Sequence, residues 1–500
     1  MLMFTNLIKG TNNSNKHVLL LCLFYLFANG GILFIPYAIY WDDWTLYDNA
    51  PVVILEIFRE AGSMFNFWGY LHSFLLEIGP WIYKWLTFIL MFASGLFLNI
   101  VIKRHSTINE STRFFIVLLF LILPFNMARV TLICFPYTLC YFLFFLAWVL
   151  MDRFRLLALA LFFLSFNTNS LLVFYAVPFF DKLYREKVYL NIKTLKTCIK
   201  NNLDFILLPL IFFYIKIHFF KPYGNYTGYN EDFSIQNVKK GLHDQYWSSK
   251  DYILNSLLDL NQNYAVLLAF LFIIFYLSTP KLFTSKINLS FNFSALGVLI
   301  GIIVFLFGVF PYWVVGLTPA FLDWGSRHQI LMPLGVSIIL ACALSYNKMH
   351  PTIFRGLFSI IAALCLLLNI IAYRDFFIDW QKQNQLVNFF IKNEQIKNSR
   401  LLLFSDTTKN ALSRKYRFYE WNGLLKLAYN NEKHFGINEE ELPAFLSGTY
   451  NNTFTSHYNA KDFEKSNIRS ASLVKISSVN SNSISNFPVY RISVQPVDLK

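Results

Sequence analysis

Residues 18–40 read VLLLCLFYLFANGGILFIPYAIY, 23 residues in which only a cysteine and tyrosines could ionise. A helix rises about 1.5 Å per residue and bilayer hydrocarbon is about 30 Å thick, so this run suffices to cross it. In lipid it must be helical, because nothing there pairs a bare backbone N–H or C=O. Residues 130–151 and 329–347 are comparable uncharged runs. Composition extends the reading to the whole chain. Of 500 residues, 56% are hydrophobic, 19% aromatic and only 14% charged, against about 25% charged in soluble domains. The expectation is a polytopic integral membrane protein.

Eleven spans are expected, near residues 18–40, 81–102, 114–128, 131–151, 155–166, 169–180, 203–220, 263–279, 294–317, 329–347 and 356–373. The loops 1–17, 103–113, 152–155, 181–200, 280–286 and 348–355 hold 17 Lys and Arg residues. The alternate loops 41–80, 129–130, 167–168, 221–262 and 318–328 hold 7. Basic loops stay in the cytoplasm, so the first set is read as cytoplasmic and the N-terminus with it. The net charge of +14 therefore marks topology, and nucleic acid is excluded as a partner. The first run lacks a small-residue cleavage site and is read as a retained span. Six cysteines (Cys22, Cys134, Cys140, Cys198, Cys342 and Cys365) lie in or beside apolar runs, with no CxxC spacing or disulfide framework.

Residues 156–180 are 25 uncharged residues that one helix could occupy. A single span would place the basic loop 181–200 outside, so a hairpin breaking at Asn167-Thr168-Asn169 is expected. Residues 114–151 divide in the same way, at an outer turn carrying Pro124, Asn126 and Arg129. The membrane domain is thus 1–373, with large outer loops 41–80 and 221–262. Residues 374–500 turn rich in Asn, Ser, Lys and Glu and form an extracytoplasmic domain of α/β or α+β type. Its expected strands are 401–404 (LLLF), 473–477 (LVKIS) and 489–494 (VYRISV), its helices 385–391 and 424–429, and its loop 477–486.

Residues able to carry chemistry gather on the outer side. Trp41-Asp42-Asp43-Trp44 follows the first span directly, with Tyr47 and Asp48 after it. Adjacent carboxylates repel, which raises one pKa or recruits a cation. One carboxylate could then take a proton from a hydroxyl, or the pair could hold a divalent metal such as magnesium or manganese. The tryptophans suit either an interfacial belt or stacking on a sugar face. The structural alternative is that Asp42 and Asp43 cap a helix. The second cluster is Asp323-Trp324-Gly325-Ser326-Arg327-His328, before the span at 329. Arg327 and His328 would sit at a helix N-terminus that already favours an anion, with a fork matched to phosphate. The alternative is an arginine reaching to ordinary headgroups with Asp323 as partner. Arg129 is a similar candidate. His72 and Glu77 are secondary ones. In 221–262, Tyr223, Tyr226, Tyr229, His243, Asp244, Tyr246 and Trp247 could line a carbohydrate cleft or lie on headgroups. Asn225-Tyr226-Thr227 matches a glycosylation acceptor.

With Tyr40-Trp41-Asp42-Asp43-Trp44 opening the first outer loop, and Arg327-His328 before a late span, the chain resembles the GT-C superfamily of polytopic membrane glycosyltransferases. Many members carry Asp-x-Asp, Glu-Asp or Asp-Glu in that loop, whereas here the acids are adjacent. The resemblance implies a polyprenyl-phosphate or polyprenyl-diphosphate sugar donor and a glycan, lipid or protein acceptor. It implies transfer, usually with inversion, on the outer face of the cytoplasmic membrane. Asp42 or Asp43 would serve as base. Arg327, with His328 and Arg129, would neutralise the leaving phosphate. Trp41, Trp44, Tyr47 and Asp323 would bind substrate. A second reading is a polysaccharide polymerase or ligase that depends on Arg327 rather than Asp42. A third is a transporter or lipid flippase, which would place ionisable groups near the bilayer midplane.

Overall fold

A computed structural model describes residues 12–47, 49–186, 192–228, 233–258, 262–278, 291–317, 320–321, 324–346, 350–408, 411–412, 414–431, 433–450, 463, 470–479 and 488–499. It is a mostly helical bundle with a small sheet at its C-terminal end. The helices are α1 (Asn12–Asn29), α2 (Pro51–Glu60), α3 (Phe67–Ile78), α4 (Pro80–Lys103), α5 (Glu110–Ile122), α6 (Phe135–Leu150) and α7 (Arg155–Ser165). They continue with α8 (Ser170–Phe174), α9 (Ala176–Arg185), α10 (Ile192–Asn201), α11 (Leu203–Phe219), α12 (Ile235–Leu258) and α13 (Gln262–Ser278). The last are α14 (Phe291–Trp313), α15 (Met332–Tyr346), α16 (Pro351–Lys392), α17 (Glu394–Asn398), α18 (Phe418–Tyr429) and α19 (Leu442–Leu446).

Each of the eleven expected apolar segments contains helix. Among the described residues, however, only four stretches are long and apolar enough to cross a membrane: Lys16–Phe34, Pro80–Lys103, Ala295–Trp313 and Thr352–Lys392. Phe135–Leu150, Arg155–Ser165, Gln262–Ser278 and Met332–Leu344 are apolar but shorter. A short apolar helix in lipid needs neighbouring protein over its ends.

The first helix stops at Gly30-Gly31 because α16 crosses there. A Cβ on Gly31 would lie 2.5 Å from the Tyr373 ring. The hairpin expected in 156–180 is present: α7 ends at Ser165, and α8 and α9 return the chain. The return brings Arg185 to Asp152 at 2.8 Å. Close helix contact relies on small residues, as it does where lipid supplies no hydrophobic drive. On α14 and α15, a Cβ at Gly301 would lie 2.9 Å from the Ile339 nitrogen, and one at Gly335 2.5 Å from the Phe305 nitrogen.

The loops sort to two ends of the bundle. At one end, His105 and Trp148 both reach Asp181, at 2.6 and 2.9 Å. Arg104 lies 3.3 Å from Asp152, and His17 lies 3.0 Å from Glu110. These are the loops read as cytoplasmic. At the other end of α4, roughly 36 Å away by helix rise, Lys84 donates to the Val130 carbonyl and Tyr83 meets His72. The loop around residue 223 joins this end, where the Tyr223 N–H donates to the Glu60 carbonyl at 2.9 Å.

Helix α16 is 42 residues long and runs unbroken through position 373 into the C-terminal domain. The sheet there comprises β1 (Leu401–Asp406), β2 (Phe435–Asn438), β3 (Ser470–Val479) and β4 (Val489–Asp498), in the order β2-β1-β3-β4. Strand β1 runs parallel to β2 and β3, and β4 is antiparallel to β3. Leu401 to Phe404 are all buried, because both faces of this inner parallel strand are covered. Phe404 stacks on Trp421 of α18 at 4.2 Å and meets Phe390 of α16 at 5.8 Å. The expected strands are found. The expected helix 385–391 is the end of α16. Strand β3 claims the start of the expected loop, and residues 480–486 lie outside the described residues.

Candidate functional site

Beyond the first helix and the 3-10 stretch Gly30–Phe34 that extends it, the chain makes a short 3-10 turn over Trp41–Thr45. Trp41 enters it with φ +50°, a left-handed value that costs a non-glycine residue about 1–2 kcal/mol. Packing holds it there. The Trp41 ring meets Trp324 at 5.8 Å and Phe376 at 5.6 Å, and the Arg414 guanidinium lies 5.3 Å from its centroid. The indole Nε1 of Trp41 is buried with no hydrogen-bond partner among the described residues.

The two acids of the turn face opposite ways. Asp43 is fully buried. Its Oδ2 accepts from the Tyr40 N–H at 3.3 Å and its Oδ1 from the Ile133 N–H at 2.9 Å. Burial pushes its carboxyl up to about 7, against the Lys84 ammonium and the N–H groups of Ile133, Leu132 and Tyr40, which pull it down. Asp43 thus staples the turn to residues 132–133. Asp42 points instead to α18, where its Oδ1 accepts from the Tyr419 hydroxyl. Arg417 Nη1 lies 3.6 Å from the same oxygen and donates to the Tyr419 oxygen at 2.8 Å. Burial and the Asp42 carboxylate hold the Tyr419 hydroxyl far above its ordinary range, so it remains a donor. Helix α18 can lie this close because Gly423 has no Cβ, which would run into the Trp44 ring. Trp44 is buried, edge-on to Tyr47 at 5.9 Å.

Arg327 is buried in the 3-10 turn Trp324–Gln329. Its Nη1 donates to the Trp324 carbonyl at 2.8 Å, and its guanidinium lies over the Trp324 ring at 4.4 Å. Trp324 in turn meets Trp41, so Arg327 and Asp42 belong to one neighbourhood joined by two indoles. The Ala128 N–H donates to Ser326 Oγ at 2.8 Å, which ties this turn to the one carrying Arg129. His328 faces the Tyr312 ring at 5.0 Å. Arg129 points into the bundle: it donates to Asn29 Oδ1 and interacts electrostatically with Tyr25, Tyr141 and Tyr373. Asp323 lies outside the described residues, as do Asp48 and Tyr229.

His72 is fully buried, stacked on Phe58 at 4.7 Å, with Nδ1 3.0 Å from the Tyr83 hydroxyl. Burial lowers it to about 3, so it is neutral. Glu77 is exposed. In the loop 221–262, Tyr223 donates to Glu56 at 3.0 Å, and Asn225 Nδ2 to Glu60 at 3.0 Å. His243, Asp244, Tyr246 and Trp247 lie on α12, and Tyr246 and Trp247 are exposed.

A divalent cation does not fit the acidic pair. Both Asp43 oxygens are held by backbone N–H groups, and Asp42 has a guanidinium beside it. Among the described residues no group of three His, Cys, Asp or Glu side chains could hold a metal.

Reading the sequence alone missed the contribution of the C-terminal domain. Arg414 forks onto Glu420 at 2.6 and 2.5 Å, and Arg417 and Tyr419 reach Asp42. Their signal was a dense charged and aromatic run, Arg414-Lys415-Tyr416-Arg417-Phe418-Tyr419-Glu420. No family model, curated protein or solved structure matches this chain.

Proposed function

We propose that the chain is a membrane glycosyltransferase. It moves a sugar from a polyprenyl-phosphate or polyprenyl-diphosphate donor to a glycan, lipid or protein acceptor on the outer face of the cytoplasmic membrane. The observation that carries this is the Asp42 carboxylate, in the turn that follows an apolar helix and linked through Trp41 and Trp324 to the Arg327 guanidinium.

In this mechanism Asp42 takes the proton of the acceptor hydroxyl. The oxygen attacks the anomeric carbon from the face opposite the phosphate, and the bond to the lipid phosphate breaks with inversion. Arg327 stabilises the charge on the departing phosphate, which such donors do best when already in place. His328, next to it in the same turn, supports it, whereas Arg129 is turned toward Asn29 and takes no part. Asp43, with both oxygens engaged by backbone N–H groups, holds the turn. The donor's prenyl tail would lie along the apolar helices.

The test is to embed the purified full-length chain in nanodiscs with a radiolabelled lipid-linked sugar pool. Labelled acceptor product of inverted anomeric configuration, formed together with free prenyl phosphate, is expected. No transfer in the presence of the full pool and acceptor fraction would reject the reading. A polymerase or ligase would instead lose activity with Arg327→Ala and keep it with Asp42→Asn.

A further inference from the structure

An enzyme of this kind faces an electrostatic conflict: a carboxylate base must work beside a phosphate. The anomeric carbon separates the two across the in-line geometry, yet like charges still repel over that distance where neither water nor a cation screens them. Asp42 is only 17% exposed, so water screens it poorly. The bundle's own cations face partners other than Asp42. Arg327 lies over Trp324, Arg129 turns toward Asn29, and Lys84 is bound to the Val130 carbonyl. Of the two guanidiniums that α18 and its preceding loop bring to the turn, Arg414 is forked onto Glu420. Arg417 is different. It is 58% exposed, 3.6 Å from Asp42 Oδ1, and steadied by the Tyr419 oxygen. With its arginine partner largely in water, such a pair adds little to stability, so its presence needs another account.

We propose that Arg417, from the C-terminal domain, is a positioning residue that neutralises Asp42 so that the anionic phosphate of the substrate can approach the turn that carries it. This rests on the glycosyltransferase reading and extends it. The soluble domain then completes the electrostatics of a site whose acid lies on the membrane domain, and Tyr419 fixes the carboxylate that Arg417 screens. The role acts through Asp42, without contact to the phosphate, and this makes it separable from simple anion binding.

The experiment measures binding of farnesyl phosphate to the full-length chain in nanodiscs, with farnesol and inorganic phosphate as references. Arg417→Gln is expected to weaken farnesyl phosphate binding by about tenfold. Asp42→Asn is expected to bind at least as well as the wild type. The double variant Asp42→Asn/Arg417→Gln is expected to recover to within about threefold of Asp42→Asn, because no charge remains to be screened. Lys415→Gln, which breaks an exposed pair with Glu440, should leave binding unchanged. Wild-type affinity in Arg417→Gln would overturn the proposal. So would a double variant as weak as Arg417→Gln, which would make Arg417 a direct ligand or a fold requirement. If the wild-type chain binds farnesol as tightly as farnesyl phosphate, the donor assignment fails, and this inference with it.

Discussion

Asp42 and Asp43 are neighbours in sequence with opposite fates, and the difference lies in what each oxygen touches. Both Asp43 oxygens accept backbone N–H bonds in a fully buried site. Removing that carboxylate leaves the Tyr40 and Ile133 N–H groups without this acceptor and the buried Lys84 ammonium without the carboxylate that acts on it. Such losses cost about 3–5 kcal/mol. Asp43→Ala should therefore lower the midpoint of thermal unfolding sharply in detergent, whereas Asp42→Asn should barely move it. Equal shifts for the two would contradict this division. The acidic pair itself was legible in the sequence, because adjacent acids after an apolar run are uncommon. Which acid turns inward was not legible. That depends on Ile133, 90 positions away, and on Tyr419, 377 positions away.

At the scale of elements, apolar runs foretold helices well, because a period-free stretch without charge has few other homes. They did not foretell length. Four described helices reach spanning length and others stop short, since helix ends depend on what crosses them, as Tyr373 crosses Gly31. The hairpin at 167–169 was legible from loop charge, and β1 and β3 from branched apolar runs. β2 (Phe435–Asn438) was not, being four residues long and reading as loop. The contact of α14 with α15 yields a prediction of its own. A Cβ on Gly335 would lie 2.5 Å from backbone nitrogen of the facing helix, where no side chain can yield. Gly335→Ala should cost about 1–3 kcal/mol, as overpacking does, and Gly335→Leu should abolish recovery of monodisperse protein. Gly356, with open space beside it, is the control: Gly356→Ala should be silent in the same size-exclusion assay.

For the whole molecule, loops predicted for opposite sides of the bilayer collect at opposite ends of the bundle. Asp152, Asp181 and Arg185 meet at one end, and the turns of Asp42, Arg129 and Arg327 at the other, beside the sheet. Two-sided labelling of single cysteines should follow: Ser447→Cys, in the exposed domain surface, should react with an impermeant maleimide from outside the cell, and Asp152→Cys only after permeabilisation. The partnership of helix α18 with the turn at residue 42 was beyond sequence reading, because it joins segments that no local pattern connects. The most direct measurement of the account is sugar transfer by Asp42→Asn and Asp43→Asn, each purified folded and compared with wild type in nanodiscs. Loss of a general base costs typically 10²–10⁴-fold. Asp42→Asn is expected to lose about a hundredfold or more without loss of fold, while whatever Asp43→Asn loses tracks its stability. Transfer by folded Asp42→Asn at the wild-type rate would contradict it.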